Sequence, residues 1–268
     1  MSRAPLPGVL WVGGPPGAGK TTVARLLARR HGLRWYNADA HTWTHRDRAI
    51  AAGHPAALRW EAMDLAERWS RPAAEMFAMS LHRERGPMIA DDLRALPPVP
   101  LTIAEGTPVT PEVTGAGAHA VWLMPTHEVQ KARLAERGLA QGPLELYRYL
   151  VREIEAQVQA YGGTRLDVDG SRSVADTVAE VEKHFAAVLE AGPKATAAAG
   201  RSRLLRYANQ AVVSQYAAFA ARPWAPGDAR TTVLAFACEC GRDGCEVDVV
   251  MAVADFPRAE PVLATGHG

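Results

Sequence analysis

The chain has 268 residues, 48% of them apolar, and sets 30 Lys and Arg against 29 Asp and Glu for a formal charge of +1. That length predicts an α/β domain of about 190 residues with a smaller companion, while the balanced charge supplies no overall field for nucleic acid or an anionic membrane surface and so disfavours both as partners. No stretch approaches the roughly 18 apolar residues that span a bilayer and the chain start has no leader-like pattern, so a cytoplasmic protein is expected.

The first element is the apolar run Val9-Leu10-Trp11-Val12, which reads as a buried strand, and Thr22 to Arg30 reads as a helix. Between them stands Gly14-Pro15-Pro16-Gly17-Ala18-Gly19-Lys20-Thr21, which matches the phosphate-binding pattern G-x-x-x-x-G-K-[ST] at every fixed position. Glycine admits positive φ and close backbone approach, so successive N–H groups and the helix N-terminus can face an anion. Gly14, Gly17, Ala18, Gly19, Lys20, Thr21 and Thr22 are therefore the expected nucleotide cradle. Lys20 would reach the β- and γ-phosphates and Thr21 would ligate magnesium.

A second strand, Leu33 to Ala38, ends at Asp39. Residues 41–85 then read as helical, with apolar positions three or four apart and breaks at Pro55 and Pro72. A short helix from Met88 to Leu96 stops at Pro97-Pro98, and a third strand, Leu101 to Ala104, delivers Glu105-Gly106. The fourth strand is Ala118 to Met124. Its helix, Thr126 to Arg137, opens on the acidic start Thr126-His127-Glu128. The polar region Gly138 to Ala160, holding Arg148 and Arg152, reads as a mobile cover. Arg165 to Val168 is a fifth strand, followed by the turn Asp169-Gly170-Ser171-Arg172-Ser173 and the helix Val174 to Leu189. Alternating strands and helices predict a five-stranded parallel sheet with helices on both faces.

Residues 191–200 are small, polar or helix-breaking and read as a linker, dividing a unit at 1–190 from a second at 201–268. In the second unit Leu204, Leu205, Ala208, Val212, Tyr216 and Phe219 outline an amphipathic helix. The segments Val233 to Cys240 and Cys245 to Ala254 then form a hairpin across Gly241 to Gly244, completing a small α+β module. All three cysteines, Cys238, Cys240 and Cys245, lie around that turn, and His267 follows in the tail. Three clustered thiols make no disulfide framework; with His267 they suit a closed tetrahedral zinc site, the alternative being reduced cysteines buried in a hairpin. The segment also resembles a short Cys-x-Cys-Gly element with a downstream Gly-His in actinobacterial proteins.

The phosphate loop, the acid after the second strand, the acid ending the third, the arginine-bearing region after the fourth and the 169–171 turn together resemble the nucleoside-monophosphate-kinase and small-molecule-kinase branch of P-loop proteins, which includes adenylate, shikimate, gluconate and chloramphenicol kinases. The resemblance spans residues 8–190 and implies a P-loop NTPase fold, ATP and Mg2+ as cofactors, and a small-molecule or nucleotide acceptor. It differs at Glu105, where the branch usually has Asp. No N-K-x-D element points to guanine.

Phosphoryl transfer asks a protein mainly to position groups and neutralise charge. On that basis Lys20 is assigned to the donor phosphates, and Glu105 to magnesium or to general-base work. Asp39 either orients the acceptor hydroxyl or caps the next helix. Arg133, Arg137, Arg148 and Arg152 are candidate clamps on developing charge, and Ser171 and Arg172 lie in the turn near the expected adenine site. Arg46, Arg48, Arg83 and Arg85 are candidates for an anionic acceptor, and Asp91 and Asp92 for the acceptor or a solvated helix face. His41, His45, His54 and His82 read as pocket or surface histidines, and Trp43, Trp60 and Trp69 as helix-face packing. A regulatory protein whose C-terminal module engages a partner is the alternative.

Overall fold

The computed structural model describes residues 5–268. A parallel sheet is built from β1 (Val9–Gly13), β2 (Arg34–Asn37), β3 (Thr102–Glu105), β4 (His119–Pro125) and β5 (Arg165–Val168), in the order β2-β3-β1-β4-β5. This is the P-loop fold. Alternation along β1 explains why helices cover both faces. Leu10 and Val12 join a core with Val23, Ala24 and Leu27 of α1 (Lys20–His31). Val9 and Trp11 join a second core on the opposite face.

Five helices follow β2: α2 (Thr42–Ala51), α3 (Pro55–Ala62), α4 (Leu65–Trp69), α5 (Ala73–Met79) and α6 (His82–Ala95). The predicted helical stretch 41–85 is thus several short pieces, turned at Pro55 and Pro72 and also at Asp64, whose side chain caps α4 by accepting from Glu67 N at 2.8 Å. The break before α6 falls at Leu81, a non-glycine residue at φ +58° and almost fully buried. Such a conformation costs about 1–3 kcal/mol and persists only where surrounding packing enforces it.

After β3 come α7 (Pro111–Thr114), then α8 (His127–Ala135) and α9 (Gln141–Tyr161) on either side of the Gly138 turn, and α10 (Val174–His184) and α11 (Ala186–Ala191) after β5. The region read as a polar cover is mostly the 21-residue α9. Its buried positions Gly142, Leu146, Leu150, Ile154 and Val158 recur every four residues, a stripe that interleaved charges hide from a composition reading. Leu146 and Leu150 pack on Met76 and Phe77 of α5. Gly142 lets α9 approach Trp69 so closely that a Cβ there would lie 2.3 Å from the Trp69 carbonyl oxygen.

Residues read as a linker are fastened to the sheet: Leu101 N donates to Pro193 O at 2.8 Å and Ala195 N to Gly32 O at 2.9 Å. The chain then enters α12 (Ala198–Ala220) and an antiparallel pair, β6 (Val233–Ala237) and β7 (Asp248–Ala252). Helix and hairpin are joined by Asn209, whose amide exchanges hydrogen bonds with Ala237 N and O at 3.0 and 2.9 Å and also donates to Glu239. On its other side α12 meets α2: Trp43 packs on Phe219 and Trp224, and Arg222 pairs with Asp47 and Glu61. Among the described residues no helix is long and apolar enough to cross a membrane.

The Gly142 contact makes a prediction of unusual sign. Replacing a helical glycine by alanine ordinarily gains up to about 1 kcal/mol, whereas overpacking costs about 1–3 kcal/mol. Gly142→Ala should therefore lower stability in urea denaturation, and a stabilised variant would contradict the close crossing.

Candidate active site

The phosphate loop leaves β1 at Gly13 and enters α1 at Lys20. Two glycines are geometrically required. Gly14 has φ +131° and a Cβ there would sit 2.2 Å from Leu123 O, while Gly19 ends the loop at φ +93°. No side chain caps α1 and its first turn holds no acid, so its N-terminal amides stay free to bind an anion. Lys20 is buried and its Nζ donates to Pro15 O at 3.0 Å. Burial lowers its pKa, and the charges of Asp39 and Glu105 act against that shift.

Sheet register brings the acids to the same edge. Glu105 pairs with Val12 on one side and Asn37 on the other, so the loop, Glu105 and the residues after β2 all emerge at the C-terminal ends of neighbouring strands, where α/β sheets bind ligands. Thr21 Oγ1 donates to Glu105 Oε1 at 3.1 Å. The carboxylate is fully buried, and its second oxygen has no hydrogen-bond partner among the described residues. Desolvation, reinforced by the charge of Asp39, pushes Glu105 up to about 8 despite Lys20 and Thr21. A buried carboxylate with one oxygen open, beside a threonine hydroxyl, is a fitting pair of hard ligands for a divalent cation.

Asp39 follows β2 in a 3₁₀ turn, Ala38–His41, that is capped by Asn37 rather than by Asp39 itself: Asn37 Oδ1 accepts from Asp39 N at 2.9 Å and Ala40 N at 3.3 Å. The Asp39 carboxylate is left half-exposed, 3.9 Å from Arg85. It lines a cleft of about 530 Å³ that also exposes Gly17, Gly19, Lys20, Thr21 and Thr22. Trp43, Trp60 and Trp69 line the same cleft while also packing among the helices, with arginines over the Trp43 and Trp60 rings. Arg46 stacks 4.8 Å from the Trp60 ring and has two buried nitrogens without partners. His82, placed by the strained Leu81, is buried with Nε2 also unpartnered. Burial, with Arg85, Arg83 and Lys20 nearby, drops it to about 3, leaving a neutral imidazole.

Beneath this cleft Asp92 accepts from Tyr36 at 2.6 Å, His45 at 2.8 Å and Arg48 at 2.6 Å. Burial alone would raise its pKa, yet the hydrogen bonds from His45 and Tyr36 hold it at about 2. Arg85 Nε donates to His45 Nδ1 at 3.4 Å, and Arg85 also donates to Ala38 O. Asp92 thus orients His45, which supports Arg85 beside Asp39. Asp91 remains exposed and pairs with Arg94, and Arg83 pairs with Glu153.

Of the candidate clamps, Arg133 of α8 donates to Gly17 O at 2.9 Å and Arg137 lines the cleft. Arg148 does not reach it. Helical phase turns Leu146, Tyr147 and Leu150 toward the cleft and leaves Arg148 exposed; Arg152 lies over Tyr149. Ser171 and Arg172 occupy an exposed turn after β5, where Asp169 accepts from Ser171 N and Oγ and Arg172 donates to Asp167 O. They lie outside the lining of the cleft, though Gly170 approaches Val129 at the start of α8. Three lining or loop-holding residues carried no sequence signal: Gln130, which donates to Pro16 O at 2.8 Å, Tyr147, and Gln215 from α12. The thiols of Cys238, Cys240 and Cys245 and the His267 ring gather elsewhere, with ligating atoms within 4.8 Å of one another.

No family model matches the sequence, and no curated protein matches it. Solved structures similar to the chain include a sugar kinase from Janibacter sp. HTCC2649, at 20% identity and TM-score 0.38 over 66% of this chain and 94% of that one. A shikimate kinase from Acinetobacter baumannii in complex with shikimate has 16% identity and TM-score 0.42, over 67% and 93%. A gluconokinase from Sinorhizobium meliloti 1021 has 18% identity and TM-score 0.40, over 70% and 96%. At these values the likeness says nothing about substrate.

Glu105 makes stability pH-dependent in a direction opposite to that of most acids. It keeps its proton up to about pH 8 in the fold but only to about 4.5 when unfolded, so the native state binds more protons between those values. Its contribution to stability is present at lower pH and is lost as pH rises from 4.5 through 8, by order 1 kcal/mol per unit. Glu105→Gln should flatten the profile measured by urea denaturation between pH 5 and 8; identical profiles would contradict the raised pKa.

Proposed function

We propose that the protein is an ATP- and magnesium-dependent kinase that transfers the γ-phosphoryl group to a hydroxyl or phosphate of a small molecule or nucleotide. One observation carries this reading: a single cleft is lined by Lys20 and Thr21 together with the half-exposed Asp39 carboxylate. Donor and acceptor would therefore meet in one volume. Residues 1–190 would form the kinase unit, with 191–200 joining it to the 201–268 module.

The free amides of the loop and α1 bind the donor phosphates, and Lys20 leaves Pro15 O to reach them. Arg137, which lines the cleft, and Arg133, which holds Gly17 O, would neutralise charge that grows on the transferred group. For a hydroxyl acceptor, Asp39 accepts the proton as the acceptor oxygen bonds to the γ-phosphorus and the bond to the bridging oxygen breaks. Thr21 and Glu105 would hold magnesium, which supplies neutralisation of phosphate charge. Before it can serve as a ligand Glu105 must lose its proton, so cation affinity should increase as pH approaches 8.

The acceptor end combines aromatic lining from Trp43, Trp60 and Trp69 with the cations Arg46 and Arg85. Against one acid, Asp39, that lining favours a compact anionic acceptor with an apolar or ring-shaped body. Neutral His82 adds a polar contact that does not compete for the negative charge.

ATP consumption measured over pools of hydroxylated and phosphorylated metabolites tests the reading. Turnover should require an acceptor. Lys20→Ala should abolish it with the fold retained, and near wild-type rate in that variant would reject the site. Asp39→Asn should lower kcat by about a hundredfold or more while nucleotide affinity, measured by calorimetry, is retained. Nucleotide binding with no acceptor-dependent turnover would overturn the kinase assignment.

A further inference from the structure

The C-terminal cysteines form a complete ligand set with tetrahedral dimensions. His267 Nδ1 lies 3.4 Å from Cys238 Sγ and 3.5 Å from Cys245 Sγ. A tetrahedral zinc ion with Zn–S near 2.3 Å and Zn–N near 2.0–2.1 Å requires a sulfur-to-nitrogen edge of about 3.6 Å. Cys240 completes the set, all four ligating atoms falling within 4.8 Å of one another. The thiols are unpaired, and Cys238 is fully buried. Three thiolate sulfurs and one imidazole nitrogen exclude hard cations and suit zinc. The backbone supports it too: Ala264 N donates to Cys238 Sγ at 3.3 Å, and His267 N donates to Ala264 O at 3.0 Å, tying the tail to the hairpin.

What this cluster would hold in place is the contact with α1. The chain leaving Cys245 meets three arginines on the helix that follows the phosphate loop. Asp248 pairs with Arg25 and, at 2.8 Å, with Arg29; Arg29 also donates to Val247 O at 2.6 Å, and Arg30 pairs with Glu246 at 3.1 Å. Arg201 of α12 bridges the two sides, donating to Arg29 O and pairing with Asp243, each at 2.8 Å. Gly241 lies so near the start of α12 that a Cβ would be 2.1 Å from Ala198 O. Among the described residues, the buried members of the module's own core cluster are Phe236, Val253 and Val262. A core that small gives little hold on a polar turn, which is where small folds use metals.

We propose that Cys238, Cys240, Cys245 and His267 bind one zinc ion in a closed structural site that pins residues 243–248 against α1, making the C-terminal module a metal-held brace on the phosphate-loop helix. The same module presents α12, and with it Gln215, to the acceptor cleft. This role is independent of the phosphoryl-transfer reading.

The test uses the full-length protein purified without a metal-binding tag. Mass spectrometry of the elements should find one zinc per chain, and substitution with Co2+ should give the intense thiolate charge-transfer bands and tetrahedral d–d spectrum of a site with three sulfur ligands and one nitrogen. Cys240→Ser and His267→Ala should each lose the bound zinc. Chelation of the wild-type protein should speed amide exchange in residues 243–250 and in α1 while the strands β1, β3 and β4 keep their protection. Well-folded wild-type protein that is metal-free and takes up no zinc in titration would overturn the site. So would one equivalent of a different metal. Unchanged exchange in α1 after zinc removal would overturn the brace.

Discussion

The candidate site depends on a carboxylate that the fold desolvates without satisfying. Glu105 is enclosed at the end of a central strand, with Thr21 on one oxygen and no hydrogen-bond partner among the described residues on the other. An arrangement of that kind costs stability unless something answers it. Lys20 answers part of the charge from the loop, while Asp39 adds to the burden. Two acids and one buried lysine thus lie close enough to shift one another's charge beside helix amides that no side chain caps.

Around that centre the protein spends much of its chain on helices that shape a single cleft. Leu81 holds a left-handed conformation that brings His82 to the lining, and α9 crosses Trp69 closely enough to require Gly142. Asp92 collects three donors and reaches the cleft through His45 and Arg85. Strain and buried polar networks of this sort are stable only when surrounding packing leaves no alternative, and they favour one arrangement of the side chains over many.

The C-terminal module is joined to this machinery along several contacts, with α12 packed on β2 between them. Aromatic and ionic contacts tie α12 to α2 beside the cleft, and the cysteine-bearing turn meets α1. Asn209 and the buried Glu239, itself paired with Arg206 at 3.3 Å, connect the two through hydrogen bonds within the module.

The phosphate loop, the strand-helix alternation, Asp39, Glu105 and the clustered thiols were legible in the chain itself, because each depends on local spacing: glycines set by backbone conformation, acids at strand ends, cysteines around one turn. Where local pattern was interrupted, that reading ran out. Charges interleaved through α9 concealed its buried stripe and suggested a mobile cover, and Arg148 could not be separated from Arg133 and Arg137 without helical phase against a neighbour. Tertiary packing alone decided that Asp92 holds His45 and that Gln215 arrives from more than a hundred residues beyond the loop. Those outcomes depend on which surfaces come to face one another, a property of the assembled layers that no single segment contains.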